Sequence, residues 1–116
     1  MIKVNIEYRT DKRECSLLVK GHAGQADVGR DLVCASASIL AYTVAQIVKA
    51  MDSHKDFAEP PVIELESGDA TILCRAKDDY IFAEVLQTFF VIQTGYALLA
   101  HNYPQYVELI TDGKDI

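Results

Sequence analysis

Three cysteines in 116 residues are too few, and odd in number, for a disulfide scaffold. Cys15, Cys34 and Cys74 show no Cys-x-x-Cys spacing, and no His-x₃-His pair accompanies them. A dithiol redox motif and a local zinc motif are therefore both missing. The opening "MIKVNIEYR" alternates like a strand and does not read as a signal peptide, so free thiols in a reducing cytoplasm are expected. No run of 18 apolar residues is free of polar interruption, which argues against a membrane span. Basic residues are also scarce. Lys and Arg number 11 against 17 Asp and Glu, leaving a net charge of −6. That is the opposite of a general nucleic-acid footprint, and no direct nucleic-acid binding is expected. The sign suits a basic partner instead. No Gly-Lys-Ser/Thr loop and no dinucleotide fingerprint occurs. Internal repeats and low-complexity segments are absent too.

What is present is a balanced globular composition. Half the residues are apolar, enough for one core, and the length fits a single domain over residues 1–116. In "IKVNIEYR", Ile2, Val4, Ile6 and Tyr8 alternate with Lys3, Asn5, Glu7 and Arg9, the pattern of a half-buried strand. "TDKRE" reads as a charged turn and "CSLLVKG" as the hairpin partner. A helix is expected from near Asp31 to about Met51, with Val33, Ala37, Leu40, Val44, Ile47, Val48 and Met51 spaced by three and four. Pro60 and Pro61 follow, in a stretch that cannot be helical. "VIELESG" and "DATILCRA" flank Gly68–Asp69 as a second hairpin. A second helix is expected from about Asp79 to His101, nearly apolar all round. It needs burial on more than one side, against the first helix or a second subunit. "YPQYVELIT" reads as a last strand starting at Pro104. The order ββαββαβ implies a two-layer α+β domain, a mainly antiparallel sheet with both helices on one face.

The chemistry concentrates in "GHAGQADVGRDLVC", from Gly21 to Cys34. Asp31 reads as an N-cap, which would place Cys34 in the first helical turn, where free N–H groups and the dipole favour a thiolate. Lowering a thiol pKa by two units takes about 2.7 kcal/mol. An exposed helix end supplies about 0.3–1 kcal/mol. An imidazolium is needed to make up the rest, and His22 is the available imidazole. If the strand end lies beside the helix start, the two can form a Cys–His nucleophile pair. Gly21, Gly24 and Gly29 permit sharp turns and close approach of a peptide backbone. Gly21, Ala23, Gly24, Gly29, Asp31 and Ser38 are the candidate substrate-binding positions, Ser38 because it lies four residues beyond Cys34 on the same face. Asp27 is a possible orienter of His22. Each has a plainer role: Cys34 as packing, His22 as a surface residue, Asp31 as a cap, Ser36 and Ser38 as small surface residues. His54 and His101 fall at helix ends, where capping is ordinary. Cys15 and Cys74 sit in strand patterns and read as structural.

"GHAG" at 21–24 and "GRDLVCASAS" at 29–38 resemble the ribosomal-processing cysteine protease family of bacteria, the Prp family. The resemblance runs over essentially the whole chain and is most specific in this loop. It implies a compact α+β homodimer with Cys34 as nucleophile and His22 as general base. It also implies a substrate, the precursor of ribosomal protein bL27, from which a short N-terminal extension is removed. No metal or organic cofactor is implied. The rival reading is a non-enzymatic ribosome-associated binding or assembly factor that uses the Gly-rich loop as a peptide clamp. A single peroxide-reactive thiol is a third.

Overall fold

The alternation at the N-terminus produces a strand with two unlike faces. The computed structural model describes residues 1–21, 28–66 and 68–112, with the backbone alone at 28–31. In it β1 (Ile2–Arg9) buries Ile2, Val4, Ile6 and Tyr8 and leaves Lys3 and Arg9 exposed. A single 3₁₀ turn, Thr10–Lys12, and a left-handed Arg13 (φ 52) reverse the chain. β2 (Glu14–Lys20) then returns antiparallel to β1, from Lys3 opposite Lys20 to Arg9 opposite Glu14. β4 (Asp69–Arg75) pairs with the other side of β2, and β3 (Val62–Glu66) with β4, both antiparallel. β5 (Val107–Thr111) lies parallel to β1, so the five strands run in the order β3-β4-β2-β1-β5.

α1 (Val28–Ser53) and α2 (Asp79–Asn102) cover one face of this sheet. The inner stripe of α1 is Val33, Ala37, Ala41, Val44 and Val48, and that of α2 includes Val85, Phe89, Ile92 and Tyr96. They meet Val4, Ile6, Leu17 and Ile72 from the strands in one core. Each fully buried side chain of Val or Phe size stabilises by roughly 1.5–3 kcal/mol. By length and composition both helices would also be long and apolar enough to cross a membrane. Each instead lays its inner face on the sheet. On the open face, Glu14 is buried between its cross-strand neighbours Arg9 and Arg75, at 3.3 and 3.4 Å. Two guanidinium groups make that buried carboxylate tolerable.

Two boundaries differ from the sequence expectation. α1 begins at Val28, one turn before Asp31, so Asp31 lies within the helix and is not its N-cap. One glycine, Gly29, costs a helix about 1 kcal/mol. That is too little to stop a helix anchored by Val33 and Ala37. β5 begins at Val107, not at Pro104. Pro104 lacks an N–H, and the preceding residues close a turn in which Tyr106 N–H donates to the Tyr103 carbonyl at 3.0 Å.

Candidate active site

β2 ends at the edge of the sheet on Gly21, and Gly21 is held there from two sides. Its N–H donates to the Gly68 carbonyl at 3.0 Å, which ties it to the tip of the β3–β4 hairpin. Its φ of +118° is a conformation that side chains other than hydrogen rarely adopt. A Cβ at this position would stand 2.3 Å from the Met1 carbonyl oxygen. Gly21 is therefore required by the backbone itself. His22, Ala23, Gly24 and Asp27 lie outside the described residues. Gly29 and Asp31 fall in the first turn of α1.

Cys34 is the seventh residue of α1 and is half-buried against the margin of the core. The expected position in the first turn is corrected by one turn. Only the first four N–H groups of a helix lack intrahelical partners, so the Cys34 N–H itself is not one of the orphan donors of α1. The contribution of the helix end to a thiolate shrinks accordingly, and more of the activation falls to an imidazole. Ser38 is exposed one turn further on, on the flank of Cys34.

Which way that flank faces follows from α2. Gly95 of α2 receives Leu40: a Cβ there would meet the Leu40 Cδ2 atom at 2.7 Å. Leu40 thus marks the α2 side of α1. Cys34 precedes Leu40 by six residues, which puts it about 120° round the helix. Its flank is turned away from α2. Since α2 lies over β5 and β2 and α1 over β4, the Cys34 flank is turned towards the β3 edge. The site end of α1 is pinned from the other side. The Tyr96 hydroxyl, in the core of α2, donates to the Ala37 carbonyl at 2.8 Å. Burial pushes the Tyr96 phenol up, so it stays a neutral donor.

Sequence reasoning missed this fastening and the Gly95–Leu40 contact. The only signal was a glycine inside a long apolar helix, which reads as a close approach of two backbones. The other thiols are inert by placement. Cys15 and Cys74 are fully buried and face each other across β2 and β4. Burial, with the charge of Glu14, pushes the Cys74 thiol up to about 12. Among the described residues no three His, Cys, Asp or Glu side chains gather to hold a metal ion.

A half-buried, non-disulfide cysteine in the second turn of a helix, shortly after the Gly-rich segment 21–29, is an arrangement suited to nucleophilic catalysis. A protein-family model described as Cysteine protease Prp matches residues 1–108. The chain belongs to this Prp family. It is a cysteine protease, the enzyme class that the resemblance implied. No curated protein matches the sequence. Among solved structures, the Staphylococcus aureus ribosomal processing protease Prp in complex with a substrate peptide superposes with a TM-score of 0.66 at 20% identity. That match covers 97% of this chain and 100% of the other. SMU.848 from Streptococcus mutans gives a TM-score of 0.64 at 24% identity, covering 96% of this chain and 93% of its own. S. aureus Prp with a covalently linked product peptide gives 0.56 at 22% identity, covering 97% and 100%. At these identities the likeness is one of fold, and it spans both layers of this Prp-family domain.

Proposed function

We propose that this Prp-family protease removes the N-terminal extension of the ribosomal protein bL27 precursor, in the cytoplasm, through an acyl-enzyme on Cys34. The observation that carries the reading is membership of the cysteine protease Prp family over residues 1–108, with Cys34 as the half-buried cysteine at the loop-facing end of α1. S. aureus Prp, of the same fold, has been solved with a substrate peptide and with a covalently linked product peptide, which supports covalent catalysis.

The chemistry runs in two steps. His22 takes the proton of Cys34, and the thiolate attacks the scissile carbonyl carbon. The oxyanion needs free donors; the Cys34 N–H is committed within α1, so the unpaired N–H groups in the first turn of α1 are the candidates. The C–N bond breaks as protonated His22 gives its proton to the leaving amine. Water, deprotonated by neutral His22, then hydrolyses the thioester. Gly21 fixes the backbone immediately before His22. Ala23, Gly24, Gly29, Asp31 and Ser38 border the peptide, and no metal or organic cofactor enters. The net charge of −6 suits a basic ribosomal substrate.

The working unit in this reading is a homodimer. The outer faces of both helices are uncharged, from Leu32 to Val48 on α1 and from Val85 to Ala100 on α2. Leu32, Ile39, Val91 and Leu98 are each more than half exposed there. Surfaces of that kind favour a self-complementary contact. The test of the function is mass spectrometry of a peptide spanning the bL27 extension of the same organism. One cut by the wild type, lost in Cys34→Ala, is expected. An intact peptide with the wild type, and intact full-length bL27 beside it, would overturn the reading in favour of a binding or assembly role.

A further inference from the structure

We propose that the substrate peptide docks as an added strand on the free edge of β3, and that this edge is what feeds extended backbone to Cys34. The inference rests on the peptide-cleavage reading and adds where the chain is gripped.

On β4, the Gly68 carbonyl accepts from Gly21 and Ala76 N–H donates to the Arg13 carbonyl, so even-numbered residues face β2. The Arg75 carbonyl, by contrast, accepts from Ala58 N–H on the β3 side. Odd-numbered residues of β4 thus face β3, and in an antiparallel ladder their opposite partners face back. Those partners are Val62, Glu64 and Glu66, opposite Leu73, Thr71 and Asp69. It follows that Ile63 and Leu65 turn both N–H and C=O outward. Among the described residues no strand pairs with that side.

The same two residues carry the apolar side chains of the strand. Ile63 and Leu65 point to the helix-covered face, where they are only partly buried at the rim of the core. The flank of α1 that bears Cys34 and Ser38 lies over neighbouring β4 and is turned towards this edge. The hairpin tip that closes β3 is bonded to Gly21, immediately before His22. An extended peptide on this edge would exchange main-chain hydrogen bonds with Ile63 and Leu65 and lay alternate side chains over their apolar rim. The chemistry recognised is the peptide main chain, which is what a protease must hold whatever its side-chain preference.

The test is an N-methyl scan of the peptide spanning the bL27 extension, one backbone nitrogen at a time, with KM and kcat measured for each. Strand addition predicts a rise in KM of about fivefold at every second residue on one side of the cut, with the residues between unaffected. Ile63→Pro, which removes an outward N–H and spares the β3–β4 ladder, should raise KM likewise, and Ile63→Val should restore it. A scan without that period of two overturns the inference and leaves the protease reading standing. No cleavage of the unmethylated peptide by the wild type overturns both.

Discussion

Gly21→Ala isolates the backbone requirement at the residue immediately before His22. At φ +118° an alanine is strained by about 1–3 kcal/mol. The more restricted unfolded chain returns about 0.4–1 kcal/mol of that. The new methyl carbon also falls 2.3 Å from the Met1 carbonyl oxygen. Met1 is exposed, so it can give way, but only by fraying the start of β1. Gly21 itself cannot swing aside without breaking its 3.0 Å bond to the Gly68 carbonyl. The net loss is about 2 kcal/mol. With a urea slope of about 1–3 kcal/mol per molar for a small domain, the unfolding midpoint should fall by about 1 M. kcat should fall as well, because His22 follows directly. Equilibrium urea unfolding followed by circular dichroism measures the first effect. A midpoint shifted by less than about 0.2 M would refute the reasoning, since it would mean that residue 21 is free to relax.

Three further outcomes follow from other parts of the structure. The Cys74 thiol is pushed up to about 12, so between the ordinary thiol range and that value the unfolded chain binds fewer protons than the native one. Stability is full below pH 9 and lost as pH rises towards 12; urea midpoints at pH 8 and 11 should show it, and Cys74→Val should shrink the difference. Tyr8 and Tyr96, also pushed up by burial, act in the same direction at still higher pH. Tyr96→Phe removes the 2.8 Å bond to Ala37 and should cost about 1 kcal/mol in the same unfolding assay. Leu98→Lys places a charge on the uncharged outer face of α2 and should convert a dimer to a monomer in sedimentation velocity at micromolar concentration; an unchanged sedimentation coefficient at the dimer value would move the interface elsewhere.

The strands were legible because their side chains alternate. Ile2 to Tyr8 declares one covered face, and Val62 to Arg75 a hairpin with its tip at Gly68. The two helices were legible by their spacing, and the α+β layering followed from hairpins that can only pair antiparallel. The parallel seat of β5 beside β1 was not legible. It depends on where α2 delivers the chain, and the local pattern of Val107–Thr111 does not encode that. The first turn of α1 was hidden by Gly29 and by an aspartate at a plausible capping position; packing of Val33 and Ala37 outweighs both. At the site, Cys34 and Gly21 could be picked out from residue type and motif. The reasons for their placement could not, because they are long-range. Tyr96 holds Ala37 from 59 positions away, and Gly68 holds Gly21 across two strands.

Cys34 being more reactive than buried Cys15 and Cys74 proves little, since exposure alone separates them. The direct test of the nucleophile is the rate of Cys34 alkylation by iodoacetamide from pH 5 to 9, read by peptide mass mapping. The wild type, His22→Ala and the same protein unfolded in urea are compared. The account predicts fast modification of native Cys34 already at pH 6–7, and much slower modification there in His22→Ala. A native profile that matches the unfolded thiol, unchanged by His22→Ala, would contradict it.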